Sequence, residues 1–351
     1  MRLLHLPNEL SSTDPAKMEL SARNAFKHLH LKGSISHLHT YSYIERLNKN
    51  PDYGAFRAEL LSEIEAFKPD IIFVQHVTRR PLDKDLWRDA LKRAPMATLA
   101  YQDGDAYGRL VKKIDEPMRH ILGASHLNFV VSLGYVADQF SKLSNGKVFY
   151  MPHCFDKMRF PIAPPNTEKK YDIIAVGNAW RRARLKFLFL PGGRTRYKLF
   201  KALSQAYGER FALHGAGWEK LRSSKGPLPY LEQHDAVREA RVSVHWNNFP
   251  HLPYYFSDRV PIFLAAGVPH VTSYQPGYEH IFSGCRGFYT GKTPKEVAEC
   301  VSWLLSRPDE HLWEEGLAAQ QWVKDNLEAD IVYARAFAQC RDVHLERQSK
   351  R

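Results

Sequence analysis

Short apolar runs that alternate with helical patterns constrain this chain more than any other sequence feature. The run Ile71–Gln75 (IIFVQ) is apolar up to its last residue, and it follows Tyr53–Phe67, where apolar residues recur at helical spacing. A strand without polar alternation is buried on both faces, as in a parallel sheet that is covered by helices. The repeated alternation of strand and helix therefore predicts βαβ units and an α/β, doubly wound fold.

One break in this alternation predicts two domains. The segment Phe160–Lys170 is rich in proline and polar residues and has no periodicity, which is typical of a linker. A chain of 351 residues also exceeds the roughly 250 to 300 residues at which a single core stops growing. We expect an N-terminal domain over 1–160, a C-terminal domain over 171–325, and a C-terminal helix within 326–351 that could cross back to the first domain.

The charge of the chain narrows the choice of partners. There are 50 Lys and Arg residues against 38 Asp and Glu, a formal charge of +12, which attracts nucleic acid, anionic membrane or phosphorylated small molecules. No apolar stretch approaches the roughly 18 residues that span a bilayer. The four cysteines form no CxxC pair, which argues against a zinc ribbon or a disulfide framework. We expect a cytoplasmic protein without a secretory signal or transmembrane segment, and we favour a monomer.

The residues directly after predicted strands are candidates for chemistry, because ligands of open α/β sheets bind beyond the carboxyl ends of the strands. Gly177 and Asn178 follow the predicted strand Tyr171–Val176, and Arg181 and Arg184 come next. Glycine lets the backbone approach a ligand, and guanidinium groups match phosphate oxygens. A solvated basic face is the plainer interpretation, but the position after a strand and a glycine favours phosphate binding.

This basic run is part of a longer stretch without acidic residues, which extends from Asp172 to Glu209. We expect the stretch to face an anionic ligand. Its cations are Arg181, Arg182, Arg184, Lys186, Arg194, Arg196, Lys198 and Lys201.

Two further turns follow predicted strands. Gly215 opens the turn His214–Trp218 (HGAGW), which lacks the full GxGxxG fingerprint and therefore disfavours a dinucleotide site. Ser257 and Asp258 precede the predicted helix Val260–Ala266, where they either cap the helix or help to bind an anion.

The segment Ser257–Val271 (SDRVPIFLAAGVPHV), followed by Pro276–Glu279 (PGYE), resembles the donor-site signature of GT-B glycosyltransferases. It is most similar to the spore-maturation-type glycosyltransferase-like family and, more distantly, to the DNA β-glucosyltransferases of phages. The resemblance covers nearly the whole chain and implies the GT-B fold, in which two Rossmann-like domains face each other across a cleft. Further matching segments, in the expected order, are Lys68–Val74, Tyr101–Asp103, Met151–Asp156, Tyr171–Gly177 and His214–Gly217.

The resemblance implies that the C-terminal domain binds a nucleotide-sugar, with a UDP-sugar as the favoured donor. It places Asn178 and Arg184 near the diphosphate and Arg259 near phosphate or ribose. It also places the backbone of Gly226–Pro229, including Leu228, against the base.

One position departs from the resembling family. Many relatives carry a glutamate three residues after the arginine, where it holds the ribose hydroxyls, whereas this chain has Ile262. Either Asp258 takes over that role or ribose recognition differs.

The resemblance also implies a general base. Asp103 aligns with the aspartate that deprotonates the acceptor hydroxyl in the phage enzymes, Asp105 is the fallback, and a turn or N-cap aspartate is the plainer interpretation. His153 is expected to contact the sugar unless it is structural, and Tyr107 and Arg109 are expected near sugar or acceptor. GT-B enzymes resemble one another in stabilising the leaving diphosphate with arginines and helix N-termini, so we expect no metal and no other cofactor.

The leading hypothesis for the acceptor is a hydroxymethylated pyrimidine in double-stranded DNA, in the host cytoplasm if the chain is phage-encoded. Such a protein would use cations for affinity and would extrude the base for chemistry. Candidate DNA-contacting residues are Tyr41, Tyr43, Arg46, Arg79, Arg80, Tyr107, Arg109, Lys112 and Lys113.

Two alternatives stay open. The first is a peripheral-membrane glycosyltransferase of surface glycan or glycolipid synthesis, which would use the amphipathic segment Ala16–Leu31 as its anchor, although a core-facing helix is the plainer interpretation. The second is a degenerate, non-catalytic GT-B module that binds nucleic acid, for which Ile262 gives some support.

Overall fold

The chain folds into two compact units. The first unit contains Met1–Pro152 and Ala329–Arg351, and the second contains His153–Glu328. The computed structural model describes residues 1–50, 52–107, 112–164, 168–179, 181–182, 185–249 and 251–350, without the side chains of 181–182 and 185–188.

A six-stranded parallel sheet forms the centre of the first unit, with strand order β2-β1-β3-β4-β5-β6. The direction of winding changes at β1, which pairs with β2 on one side and β3 on the other. The strands are β1 (Arg2–Leu6), β2 (His37–Thr40), β3 (Ile71–Gln75), β4 (Thr98–Asp103), β5 (Leu127–Val130) and β6 (Lys147–Tyr150).

The first unit surrounds this sheet with helices whose ends are set by local signals. Asp52 caps α3 by accepting hydrogen bonds from the amides of Gly54 and Ala55, and Lys68 ends that helix in the left-handed conformation. The helices of the segment before residue 152 are α1 (Leu20–Leu31), α2 (Tyr43–Lys49), α3 (Tyr53–Phe67), α4 (Leu86–Arg93), α5 (Glu116–Ala124) and α6 (Tyr135–Leu143).

The second unit contains another six-stranded parallel sheet, with strand order β11-β10-β7-β12-β13-β14, and a separate antiparallel pair. The strands of the sheet are β7 (Tyr171–Val176), β10 (Phe211–His214), β11 (Ser224–Gly226), β12 (Ala240–Val244), β13 (His270–Ser273) and β14 (Phe288–Gly291). The antiparallel pair consists of β8 (Arg181–Arg182) and β9 (Leu185–Phe189).

Helices cover both faces of the second sheet. Ile173 and Ala175 of β7 belong to one apolar core, whereas Ile174 and Val176 belong to the other. The strand therefore has no polar face, as its continuous apolar sequence predicts. The helices are α7 (Gly193–Tyr207), α8 (Gln233–Arg238), α9 (Arg259–Ala265), α10 (Tyr278–Ile281), α11 (Pro294–Leu305) and α12 (Asp309–Leu327).

The chain leaves the first unit and later returns to it. Helix α13 (Ala329–Ser349) belongs to the first unit, where Tyr333 packs edge-on against Phe26 of α1 with ring centroids 5.4 Å apart. The change between units falls at Pro152/His153, before the residue 160 that the sequence suggested. The reason is packing, since Phe155 and Phe160 are buried in the apolar core of the second unit.

One predicted helix begins later than its apolar pattern suggests. The sequence Tyr107–Leu122 predicts a helix. Helix α5 instead begins at Glu116, because the Asp115 carboxylate accepts a hydrogen bond from the Met118 amide (3.2 Å) and caps the helix there. Asp115 also accepts a hydrogen bond from the Arg79 amide at 2.6 Å, which joins the start of α5 to the loop after β3. Among the helices that the structure describes, none combines the length and apolarity that crossing a membrane requires.

Candidate functional site

A polar cluster lies at the carboxyl ends of β3 and β4 in the first unit. Asp103 is the last residue of β4, and His76 directly follows β3 with a positive φ of 53°. The His76 amide donates a hydrogen bond to the Gln102 carbonyl at 3.0 Å, which holds the two strand ends together. We call the set His76, Thr78, Tyr101, Asp103, Asp105, Tyr107 and Lys112 the Asp103 cluster.

The Asp103 carboxylate is buried and fully engaged. One oxygen, Oδ2, accepts hydrogen bonds from the hydroxyls of Tyr101 (2.6 Å) and Thr78 (3.4 Å). The other oxygen accepts a bond from the Asp105 amide at 3.0 Å. Burial, with the nearby Asp103 charge, raises the pKa of Tyr101 well above its usual value, so this hydroxyl stays a donor.

Histidine and a second carboxylate complete the cluster. His76 Nδ1 lies 3.5 Å from Asp103 Oδ2 and 3.8 Å from Asp105 Oδ2. The ligating atoms of the three side chains lie within 4.8 Å of one another, a spacing that could hold a divalent cation. Lys112 forms an ion pair with Asp105, however, so an ammonium group already supplies positive charge there. Burial lowers the pKa of Lys112.

The aromatic residues that the sequence offered as DNA contacts are core residues. Tyr41, Tyr43 and Tyr107 are all buried, and the Tyr107 hydroxyl bonds with Thr78 at 2.9 Å. Their faces are therefore not available for stacking on a base. Tyr107 belongs to the Asp103 cluster through its bond with Thr78, and Arg109 lies outside the described residues.

A second polar cluster lies at the carboxyl ends of β7, β10 and β12 in the second unit. Gly177 and Gly215 each open a turn after a strand, with φ of 154° and 131°. A Cβ atom at Gly215 would lie 2.5 Å from the Gly177 carbonyl oxygen, so only glycine lets the turns approach this closely. The Asn178 side chain then accepts a hydrogen bond from the Ala216 amide at 2.9 Å. The predicted residues of these turns are thus brought together.

The turn after β11 adjoins this pair. The Gly215 amide donates a hydrogen bond to the Gly226 carbonyl at 2.8 Å. Leu228 is partly buried and packs against the core of the second unit. Leu228 therefore lies after the carboxyl end of β11, at the same edge of the sheet as Gly177 and Gly215.

Arg196 is the central residue of the second cluster, although the sequence indicated it only as one member of the basic run. Its guanidinium is buried and donates hydrogen bonds to the carbonyls of Trp246 (2.9 Å from Nε) and Asn178 (3.1 Å from Nη1). It thereby fixes the loop after β12 to the loop after β7. Burial, followed by the nearby charge of Arg259, lowers the pKa of Arg196 to about 9.

Several buried polar atoms in this region have no hydrogen-bond partner within the described part of the chain. They are His245 Nδ1, Asn247 Oδ1, Ser257 Oγ and Arg259 Nε. Each buried group without a partner costs roughly 1–3 kcal/mol, so native structures contain few of them. These four lie in the loop after β12 and at the start of α9, and the charges of His245, Arg259 and Arg196 affect one another, so a ligand bound there could supply the missing partners. We call these four residues, with Asn178, Arg196, Tyr255 and Asp258, the Arg196 cluster.

The segment Ser257–Arg259 differs from a simple helix cap. Neither Ser257 nor Asp258 makes a side-chain capping bond to α9 among the residues described, and Asp258 lies 3.8 Å from the Arg259 guanidinium. The side chain of Ile262 is buried in the core, so this position offers nothing to a ribose. The polar groups before α9 are thus left for another partner.

His153 belongs to the second unit and is enclosed by aromatic rings. Its ring centroid lies 6.4 Å from Tyr255 and 6.3 Å from Phe256. Burial lowers the pKa of His153, against an opposing effect of Asp258, so the imidazole is neutral near pH 7.

Two of the predicted donor-site arginines cannot be located. Arg184 lies outside the described residues, and Arg181 is described only through its backbone in β8. His245, Asn247 and Tyr255, which the sequence did not single out, belong to the cluster. The sequence pattern of Val242–Trp246 (VSVHW) predicts a strand that includes His245, whereas β12 ends at Val244 and leaves His245 in the loop.

The acid-free stretch divides into a buried and an exposed part on α7. Arg196 points into the cluster, whereas Arg194, Lys198 and Lys201 are exposed and make no ion pair within the described residues. Their spacing places these three cations on one face of the helix. The cations of α7 are therefore divided between the buried cluster and the solvent-exposed face of the helix.

Comparisons with known proteins agree with this architecture. Residues 194–339 match a family model described as glycosyl transferase-like, which includes most of the Arg196 cluster. The structure of Anabaena HepE in complex with UDP and glucose is similar at a TM-score of 0.57 and 11% identity, over 97% of this chain and 99% of that chain. The chain has the GT-B glycosyltransferase fold.

Other GT-B structures are similar to the same extent. The DNA-modifying enzyme β-glucosyltransferase, studied with and without uridine diphosphoglucose, has a TM-score of 0.59 and 13% identity, over 97% of this chain and 100% of that chain. The lipopolysaccharide outer core galactosyltransferase WaaB has a TM-score of 0.58 and 13% identity, over the same shares. No curated protein matches the sequence significantly. The predicted GT-B fold is confirmed, and the likeness to the spore-maturation-type family stays a prediction.

Proposed function

We propose that this protein is a glycosyltransferase that moves a sugar from a nucleotide-sugar to a hydroxyl group. The observation that carries the proposal is the Arg196 cluster, where four buried polar atoms without a partner in the described chain accompany the neighbouring guanidinium groups of Arg196 and Arg259. A nucleotide diphosphate sugar would supply both the acceptors and the negative charge that this cluster lacks. The glycosyl transferase-like match covers the same residues.

UDP is the nucleotide that we propose. The similar structures HepE and β-glucosyltransferase are described with UDP, UDP and glucose, or uridine diphosphoglucose. The backbone turn Gly226–Pro229 would contact the uracil, and Asp258 would take the ribose hydroxyls that Ile262 cannot reach.

Charge on the leaving diphosphate has to be stabilised for the glycosidic bond to break. Arg259, with a buried Nε that has no partner in the described chain, and the positively charged surroundings of Arg196 would supply this stabilisation. Asn178, Arg181 and Arg184 would complete the diphosphate site. Because the protein's own cations provide the charge, the reaction needs no metal in this proposal.

For the acceptor we propose the hydroxyl of a hydroxymethylated pyrimidine in double-stranded DNA. The net charge of +12 and the exposed cations Arg194, Lys198 and Lys201 suit a polyanion. The alternative of a peripheral-membrane glycosyltransferase is disfavoured, because it relies on the segment Ala16–Leu31 as an anchor. Phe26 of that segment is buried against Tyr333 of α13 and is not free to enter a lipid surface. Acceptor contacts would come from Arg109 and His153, since Tyr107 is buried.

Donor binding tests the proposal directly. UDP-glucose and other UDP-sugars should raise the thermal midpoint without added metal, and Arg259→Ala should abolish the shift. Arg307→Ala, which removes an exposed arginine at the end of α11, is the matched control and should retain it. If no nucleotide-sugar shifts the midpoint of the wild-type protein, the donor site is refuted.

The acceptor is tested by transfer of labelled sugar. Duplex DNA with hydroxymethylcytosine or hydroxymethyluracil, unmodified DNA, lipid extract and oligosaccharide would be incubated with a panel of labelled nucleotide-sugars. Label in hydroxymethylated DNA alone supports the proposal. Label in lipid or oligosaccharide but not in DNA would replace it with glycan synthesis.

A further inference from the structure

Asp103 is poorly placed to touch an acceptor itself. Its side chain has no exposed surface, and hydrogen bonds from Tyr101 and Thr78 occupy one oxygen while the Asp105 amide occupies the other. A general base must come within hydrogen-bond distance of the proton that it accepts. The neighbouring His76 satisfies this requirement better, since 24% of its side chain is exposed.

The position of His76 is fixed by its surroundings. Its backbone is held at a positive φ of 53°, a conformation that costs energy for a residue with a side chain. The Tyr43 hydroxyl lies 2.8 Å from the carbonyls of both Gln75 and His76 and bonds to them from the core. Nδ1 of the imidazole points toward Asp103 and Asp105, and Nε2 has no hydrogen-bond partner within the described residues.

We propose that His76, through Nε2, accepts the proton of the acceptor hydroxyl, and that Asp103 is the positioning residue that fixes its tautomer. This inference rests on the proposed transferase function. The hydroxyl oxygen forms a bond to the anomeric carbon, the bond from that carbon to the diphosphate oxygen breaks, and its electron pair leaves with the diphosphate. The hydroxyl proton moves to Nε2 and is later released to water.

The charges around His76 suit an imidazolium. A carboxylate beside Nδ1 keeps the proton on that nitrogen, leaves Nε2 as the base, and stabilises the positive charge that forms. Lys112 pairs with Asp105 and offsets its charge, so Asp103 is the carboxylate that remains for His76. The titratable and charged groups that face this region are Asp103, Asp105, Lys112, Arg79, Arg80, Asp115, Tyr43, Tyr101 and Tyr107.

Kinetics with the full-length protein separate the candidates for the base. His76→Gln should lower kcat by about 10²–10⁴-fold, while the thermal shift with UDP-sugar is unchanged. Asp105→Asn should keep kcat within about tenfold, since in this proposal Asp105 does not take the proton. His37→Gln, at an exposed histidine on β2, is the control and should behave as wild type.

The pH profile adds a second readout. The acid limb of the rate profile should differ between the wild type and the residual activity of His76→Gln, because the variant lacks the proposed base. If His76→Gln retains kcat within about threefold, or Asp105→Asn shows the large loss instead, the proposal is wrong. Activity that requires Mn²⁺ or Mg²⁺ and is lost in His76→Gln would make the cluster a metal site and would also overturn it.

Imidazole ¹⁵N spectra test the arrangement without any acceptor. We expect the neutral imidazole of His76 in the unliganded protein to carry its proton on Nδ1, and Asp103→Asn to shift it toward the tautomer with the proton on Nε2. A wild-type His76 with its proton on Nε2 would contradict the proposal. A protein that has the expected tautomer but binds no nucleotide-sugar would instead refute the proposed function, so the two failures are distinguishable.

Discussion

The two polar clusters lie at equivalent edges of two similar sheets, yet they differ in how their hydrogen bonds are satisfied. In the Asp103 cluster, both carboxylate oxygens of Asp103 have partners from Tyr101, Thr78 and Asp105. In the Arg196 cluster, several buried polar atoms lack partners within the described residues, including Ser257 Oγ and Arg259 Nε. The Asp103 carboxylate is thus satisfied within the chain, whereas the second cluster contains buried groups that a ligand would satisfy in the proposed function.

This difference suggests a division of labour. A group that handles a proton needs a fixed neighbour to set its tautomer and its charge before the substrate arrives. A site that binds a polyvalent anion needs donors whose hydrogen bonds are still unmade, because each satisfied donor would have to be freed first. Substitutions in the first cluster should therefore disturb the free protein, while those in the second should disturb ligand binding.

The largest expected effect comes from the exception to this division. Arg196 lies in the second cluster but already bonds to the carbonyls of Trp246 and Asn178. Arg196→Met should lower the free energy of unfolding by about 2–4 kcal/mol, because it leaves buried carbonyls without donors. It should also weaken UDP-sugar binding at least about tenfold, and urea unfolding with ligand titration measures both.

A neighbour on the same helix provides the control for Arg196. Lys198→Met removes an exposed cation from α7 and should change the free energy of unfolding by no more than about 0.5 kcal/mol. Equal stability of the two variants would mean that the buried guanidinium does not hold the two loops together.

The next largest effect that we expect is a difference between the two units in their stability at acidic pH. Burial lowers the pKa of His270 from its ordinary 6.5 to about 3, so the unfolded chain binds this proton first. Stability is therefore complete above about pH 6.5 and falls by up to about 1.4 kcal/mol per pH unit below it. In the first unit, burial lowers the pKa of His5 to about 4, so protonation of this histidine also destabilises the folded state in acid.

The second unit has more such histidines, and we expect it to unfold first as the pH falls from 6.5 toward 4. Burial also lowers the pKa of His153, His214, His234 and His245 there. Hydrogen exchange of each unit at pH 7 and pH 5 measures the order of unfolding. His270→Gln should reduce the pH slope of the second unit, and an unchanged slope would contradict this account.

The smallest expected effects come from removing one hydroxyl group from each cluster. Tyr101→Phe removes a donor from the buried Asp103 and should cost about 1–2 kcal/mol of unfolding free energy with no change in UDP-sugar affinity. Ser257→Ala removes a hydroxyl without a partner in the described chain and should cost less than about 0.5 kcal/mol while weakening UDP-sugar binding. Reversal of either pattern would show that the clusters do not differ as described.

Much of the fold was accessible from sequence because buried parallel strands have a direct signature. The strands Ile71–Gln75 and Tyr171–Val176 were predicted with the bounds that the structure has. Strands such as β6 (Lys147–Tyr150) and β14 (Phe288–Gly291) were missed, because edge strands are short and partly polar.

The candidate sites were only partly accessible. Glycines after strands located the turns at Gly177 and Gly215, since chain direction alone places these positions at one edge of the sheet. Arg196 and His76 were overlooked for different reasons. One arginine among many cations has no local mark of burial, and a histidine after a strand becomes informative only when a carboxylate from another strand is found beside it.

The return of α13 to the first unit has a consequence for synthesis of the protein. The second unit is one continuous stretch of chain and can fold as soon as it leaves the ribosome. The first unit cannot be completed until α13, near the C-terminal end of the sequence, has been synthesised. Gln75, the residue before His76, donates a hydrogen bond to Tyr333 of that helix at 3.0 Å. In an interrupted translation product the second unit, with the proposed donor site, could thus be folded while the first unit, with the Asp103 cluster, is not.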